Sequence, residues 1–149
     1  MQIFTASAEQ TKKIAREMAK RILAKPLGQK AVVIGLNGNL GGGKTTFVQG
    51  FASGLGVSEK VLSPTFVVMR KYPVPKSSYS FLFHFDCYRL QKPQEIIGLG
   101  FKEIVSSPRN IVIAEWAEKA KEMFPKNTLW IRFYFIDEKN RKINLREVW

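Results

Sequence analysis

Between residues 38 and 45 the chain reads GNLGGGKT, which places four of its 11 glycines in six positions and follows them with a lysine and a threonine. Few architectures can use such a stretch. Glycine enters the left-handed backbone region without steric penalty, so successive N–H groups can turn inward around an anion. The eight residues satisfy G-x-x-x-x-G-K-[ST] in full, a pattern in which the lysine reaches nucleotide phosphates and the next hydroxyl ligates Mg²⁺. Residues 31–36 (AVVIGL) form the continuous apolar run expected of a strand buried on both faces. Residues 44–55 read as a helix stopped by Gly54 and Gly56, and its N-terminus offers partial positive charge to the same anion. The expected phosphate contacts are Gly38, Asn39, Leu40, Gly41, Gly42, Gly43, Lys44, Thr45 and Thr46.

The rest of the chain supplies a frame for that loop. A short strand is expected at residues 2–5. Ser7, Ala8, Glu9 and Gln10 then have the form of a capping box, opening a helix whose Ile14, Ala15, Met18, Ala19, Ile22 and Leu23 make one apolar stripe. Pro26 and Gly28 end it. Residues 66–72 and 80–86 read as strands flanking a Pro- and Ser-rich connection. Short helices are expected from Pro93 to about Leu99 and near residues 102–105. A buried strand is expected at 111–114, a helix at 117–123, and a closing hairpin from 128–136 and 142–148. Strands alternating with helices, together with hairpins, predict one domain over 1–149: a three-layer α/β, P-loop NTPase-like fold with a mixed, partly antiparallel sheet.

A loop of this kind needs a carboxylate near its metal ion, carried at the end of a neighbouring strand. Asp86 closes the aromatic run FLFHFD, and Glu115 closes IVIAE. Either acid alone serves equally well as the cap of the next helix; both together, in a chain with only 12 acidic residues, point to the site. Thr65, after Pro64, offers a switch-like hydroxyl or belongs to a plain strand-entry turn. Arg89 neutralises phosphate charge or joins a surface ion pair. Trp116 has core packing as its default role. His84 is the only histidine, which excludes a multi-histidine metal site, and on a strand it faces away from Cys87, which disfavours a Cys–His nucleophile pair. Hydride chemistry lacks its G-x-G-x-x-G signature.

Twenty-four Lys and Arg against 12 Asp and Glu leave a formal charge of +12. Such a surface suits polyanions or an acidic protein face, and equally serves solubility alone. No apolar run approaches the roughly 20 residues of a membrane helix. With no apolar leader before the first charges and a single cysteine, a cytoplasmic location without a membrane is expected.

Together the motifs GNLGGGKTT at 38–46, SPTF at 63–66, HFDCYRL at 84–90 and the Glu115–Trp116 pair resemble the TsaE (YjeE) family of small bacterial P-loop ATPases that support synthesis of threonylcarbamoyladenosine in tRNA. The resemblance implies ATP as substrate and Mg²⁺ as cofactor. Lys44 and Thr45 would bind phosphate and metal, Asp86 and Glu115 would complete the metal and water site, Thr65 would act as a switch, and Trp116 would lie near the nucleotide. It places the base near residues 7–9 and 137–138. It also implies partners resembling TsaD and TsaB, with tRNA reached through the assembly. Asn39, Gly42, Cys87, Ala117 and the Arg70–Lys71 pair depart from the usual pattern, and none of these changes removes a group that binds phosphate or metal. The alternatives are a small P-loop kinase, for which no arginine-bearing lid is evident, and a nucleotide-dependent RNA-binding module, which the +12 charge supports but for which no aromatic–basic stacking motif is visible. A guanine-reading Asn-Lys-x-Asp motif is absent.

Overall fold

The computed structural model describes residues 1–39, 41, 43–62 and 68–146, with only the backbone of Arg146. Leu40, Gly42 and Thr65, with the rest of 63–67 and 147–149, lie outside the described residues. Seven strands form one mixed sheet: β1 (Gln2–Thr5), β2 (Val32–Gly38), β3 (Met69–Pro73), β4 (Phe81–Asp86), β5 (Asn110–Glu115), β6 (Leu129–Phe135) and β7 (Arg141–Arg146), in the order β1-β7-β6-β2-β5-β4-β3. β4, β5, β2 and β6 run parallel. β3 adds to β4, and β7 and β1 add beyond β6, in antiparallel register.

Two helices cover one face. In α1 (Ala8–Ala24), Ser7 Oγ accepts from Gln10 N at 3.2 Å, and Gln10 Oε1 reaches back to accept from Ala6 N at 2.7 Å. The box therefore closes one residue earlier than the capping pattern expects. Its stripe of Ala15, Ala19 and Ile22 packs with Phe47, Val48 and Phe51 of α2 (Lys44–Gly54) over Ile34, Leu36, Ile113, Ile131 and Phe133. The two helices cross closely because α2 presents glycine there. A Cβ on Gly50 would collide with the Lys12 backbone, and one on Gly54 would lie 2.7 Å from Arg16 O.

The other face is covered only in part. Two 3-10 helices (Pro93–Leu99 and Ala117–Met123) and α3 (Phe101–Ser106) pack on Val33, Phe83, Phe85, Val112 and Ala114. Aromatic contacts run across this layer: Phe85–Phe101 at 5.4 Å, Phe101–Phe124 at 5.0 Å and Phe124–Trp130 at 5.4 Å between ring centroids. The cover stops there. The outer face of β1, β7 and most of β6 carries no helix among the described residues. Both 3-10 segments are tighter than the helices expected from sequence. Ala117 and Ala120 are each fully buried, and the second segment is kinked at Ala120 (φ −130°, ψ 25°). Among the described residues, no helix is long and apolar enough to cross a membrane.

Candidate nucleotide site at the carboxyl edge of the sheet

β2 runs two residues past the apolar run that ends at Leu36, to Gly38, the first residue of the glycine motif. The turn to α2 is completed by Gly43, whose φ of 99° lies in the region where side chains are disfavoured. Because β2, β5 and β4 are parallel, their carboxyl ends share one edge. Glu115 pairs in register with Leu36 on one side and Asp86 on the other. The topology thus brings together two acids far apart in the chain and sets both beside the start of α2.

The polar groups at this edge are nearly all engaged with one another. Lys44, 5% exposed, donates from Nζ to Gly38 O at 2.8 Å and Asn39 O at 2.9 Å. The same ammonium lies 3.9 Å from the Trp116 ring centroid, a cation–π contact. Burial lowers the Lys44 ammonium below its ordinary pKa, while the carboxylates of Glu118, Glu115 and Asp86 pull it back up. Thr45 Oγ1 donates to Glu115 Oε1 at 2.7 Å. The other oxygen of Glu115 meets His84 Nε2 at 2.6 Å. A carboxylate only accepts, so Nε2 carries the hydrogen in this bond. His84 is fully buried, and its Nδ1 has no partner among the described residues. Asp86, 4% exposed, accepts from Tyr88 N at 3.0 Å.

One feature of the edge goes beyond the sequence reading, and two that it left open, at His84 and Trp116, take a definite form. Gly38 N donates to Glu118 Oε2 at 3.2 Å. Desolvation raises the Glu118 carboxyl above its ordinary pKa, opposed by the Gly38 N–H and by the charges of Lys44 and Arg132. The signal for it was an acid three positions after a strand-end acid, on a turn that folds back over the same edge. His84 belongs to the site rather than the general core, through Glu115. Trp116 is half-buried rather than packed away. Its left-handed backbone (φ 54°, ψ 37°) aims the ring at Lys44 and, at 5.0 Å, at Tyr88.

The other expected residues lie close by. Thr46 is half-buried in the first turn of α2, Gly41 and Asn39 are exposed in the loop, and Arg89 is exposed just past β4. The loop rests against the start of α1 and the last hairpin. A Cβ on Gly43 would lie 4.0 Å from Thr11 Cγ2 and 3.9 Å from Arg141 Cγ, and one on Gly41 would lie 3.8 Å from Phe135 Cδ2. Cys87 points to the opposite face from His84, among Phe85 and Phe101, and burial pushes its thiol up to about 12. Among the described residues no three His, Cys, Asp or Glu side chains cluster as a metal cage.

An open mixed sheet with a glycine-rich strand-to-helix turn at the carboxyl ends of its parallel strands, faced by two strand-end acids, defines an α/β fold of the P-loop NTPase type. The match extends to sequence families. The profile described as threonylcarbamoyl adenosine biosynthesis protein TsaE matches residues 5–143, and the chain belongs to that family. The tRNA threonylcarbamoyladenosine biosynthesis protein TsaE of Bacillus subtilis (strain 168) is 35% identical over 144 residues, spanning 97% of this chain and 84% of the relative. Its counterpart in Haemophilus influenzae is 33% identical over 117 residues, 78% of this chain and 72% of that one. A crystal structure of Bacillus subtilis YdiB superposes with a TM-score of 0.75 at 30% identity, covering 97% of this chain and 83% of its own.

Proposed function

We propose that the chain binds and hydrolyses ATP in support of threonylcarbamoyladenosine formation in tRNA, acting with TsaD-like and TsaB-like partners. The observation that carries this is Lys44, held by the loop carbonyls, beside the hydrogen-bonded chain Thr45–Glu115–His84 at the mouth of the glycine loop. Lys44 is held by two carbonyls that a phosphate outcompetes, since a phosphate oxygen brings full negative charge to a partly desolvated ammonium. The glycine loop and the backbone N–H groups at the start of α2 would cradle the β- and γ-phosphates. The family resemblance adds Thr65 as a switch hydroxyl.

Thr45 Oγ1 and the carboxylates of Glu115 and Asp86 are hard oxygen donors, few in number, on one edge. That donor set fits Mg²⁺, which keeps several waters and takes one or two carboxylates beside the phosphates rather than a protein cage. Bound there, Mg²⁺ would neutralise charge on the phosphate oxygens. Glu115, fixed by His84 from behind, is the group that orients the attacking water. Asp86, turned toward the same edge by its bond to Tyr88 N, shares the metal. Trp116, beneath Lys44, shields that ammonium from solvent.

Lys44→Ala tests the binding half. Nucleotide affinity by calorimetry is expected to fall by about 100-fold or more, from loss of a charge-assisted contact in a desolvated site; wild-type affinity in a folded variant defeats the assignment. Steady-state phosphate release tests the rest. Arg141, the arginine that lies against the loop, donates to the carbonyls of Asp137 and Asn140, so turnover alone should be slow and should rise when TsaD-like and TsaB-like proteins are added together. Partner-supplied cations change such rates by roughly 10³–10⁵-fold. Full turnover without partners, or a phosphorylated small-molecule product, defeats the proposal.

A further inference from the structure

The bare outer face of β1, β7 and β6 carries side chains in cross-strand rows. Phe4, Lys142 and Tyr134 stand opposite one another across the three strands, and Gln2, Asn144 and Arg132 form the next row. Lys142 Nζ lies 4.3 Å from the Tyr134 ring centroid, and Arg132 Cζ lies 5.5 Å from the same ring. Phe4 is 65% exposed, far beyond what core packing leaves. At the inner border Lys121 approaches Trp130 at 5.8 Å. Neither row contains an acidic residue, in a chain of net charge +12. The opposite side of the same strands shows that exposure is not a general property of this wing: Thr5, Ile143, Leu145, Ile131 and Phe133 are all buried under α1.

We propose that this sheet face is a docking platform for an unpaired stretch of RNA. A sheet surface with rings interleaved between cations meets the two needs of single-stranded nucleic acid at once. Bases stack on flat aromatic faces, and the phosphates between them meet the ammonium and guanidinium groups. Phe4 is the open stacking face. Lys142 and Arg132, already oriented over Tyr134, supply the phosphate contacts with little loss of side-chain freedom. An acidic protein partner would use the cations but gains nothing specific from an exposed ring standing between them. The family's role in modifying tRNA supplies a reason for RNA to be close. The platform borders the glycine loop through Arg132, which pairs in register with Asn37 and bears on Glu118, but binding to it does not depend on ATP hydrolysis.

The test uses the full chain and two fluorescein-labelled probes, an unmodified tRNA transcript and a short single-stranded RNA of about 12 nucleotides, within the span that one such platform covers. Binding is read by anisotropy at two salt concentrations. Phe4→Ala and Lys142→Glu are each expected to weaken binding by about 5-fold or more, the lower end of what loss of one stacked base costs. Lys142→Glu should also flatten the salt dependence. Lys20→Glu, on the exposed side of α1, should change affinity by less than about 2-fold. Calorimetric ATP titration of the Phe4 and Lys142 variants should match wild type, which separates this inference from the fate of the proposed ATPase. Equal losses from Lys20→Glu would reduce the effect to diffuse charge and overturn the platform. So would an unaffected Phe4→Ala, or binding of a poly-glutamate peptide in place of either RNA. Failure of a variant to fold is checked by its melting curve, and Phe4→Tyr, which keeps the ring, should retain affinity.

Discussion

One face of the sheet is two surfaces. Over β4, β5 and β2 it is roofed by 3-10 segments and α3, and its aromatics touch one another from Phe85 to Trp130. Over β6, β7 and β1 the same face carries no helix among the described residues, and Tyr134 there lies against Lys142 and Arg132 rather than another ring. The strands are continuous across the boundary, so backbone pairing does not make the difference. The chain's order of construction does. Connections between parallel strands must cross over the sheet and leave structure on its faces, whereas the antiparallel pair β6–β7 needs only a tight turn and roofs nothing. β2 is the seam. From the roofed side Glu118 reaches the N–H of Gly38, and from the open side Arg132 bears on that same carboxylate.

The sharpest way to break this comparison is chemical accessibility. With its thiol near 12, Cys87 is about 10⁻⁴ ionised at pH 8, whereas an exposed thiol of ordinary pKa is about one tenth ionised. In a Cys87→Ser background, Asn144→Cys on the open wing should therefore react with iodoacetamide about 10³-fold faster than native Cys87. Comparable rates would mean that the roof opens readily. The same shift carries a stability sign. As pH rises through the thiol's ordinary 9.0 the unfolded chain releases this proton, while the folded chain keeps it until about 12. Stability should thus decline across that window and be unaffected by this group below it.

Energetics should divide in the same place. Phe101 is 1% exposed and packs edge-on and tilted against two other rings, so Phe101→Ala should cost about 3–5 kcal/mol. Phe4→Ala should stay within about 0.5 kcal/mol. Denaturant titration of both reads the contrast directly. A large cost at Phe4 would mean that the open wing is structural. At the loop edge, Glu115→Ala leaves Thr45 Oγ1 and the buried His84 Nε2–H without their acceptor, at a cost of about 1–3 kcal/mol. Phosphate release should be abolished while nucleotide binding persists. Equal loss of binding and turnover would remove Glu115 from water orientation.

Legibility in the sequence tracks contiguity. The glycine loop lies in eight consecutive residues, and each piece of its chemistry has a residue type that nothing else requires. Asp86 and Glu115 were legible because each ends an apolar run, and parallel strands fix where such ends meet. Glu118 was not, because its role depends on a 3-10 turn at residues 117–123 where the alanine and lysine content favours a regular α-helix. The segment is kinked at Ala120, whose backbone is non-helical (φ −130°, ψ 25°). The wing was least legible of all. Phe4 and Lys142 are register partners from opposite ends of the chain, and only β-pairing turns two scattered residues into one row. The +12 charge suited a polyanion and plain solubility alike, and located neither.

Glu118 at the seam gives the smallest expected effect and the finest test. Its carboxylate lies beside Lys44 and so competes, as a local anion, with the phosphates that Lys44 is proposed to bind. Glu118→Gln keeps an oxygen able to accept from Gly38 N but removes the charge, so the loop should hold its shape while the field at Lys44 becomes more positive. The side chain is exposed, and solvent screens much of that field. The expected gain in ATP affinity is therefore only about 2–5-fold, the size of a screened charge interaction over several ångströms. Desolvation raises this carboxyl above its ordinary pKa, so wild-type Glu118 takes up its proton before an ordinary glutamate does as pH falls. Protonation mimics the substitution. Wild-type and Glu118→Gln affinities should converge as pH is lowered toward and below the ordinary glutamate range, and separate again at neutral pH. Calorimetric titrations across that range decide the matter. A constant ratio of the two affinities at every pH would show that the substitution acts through loop geometry, and a fall in affinity at neutral pH would show that the bond to Gly38 matters more than the charge.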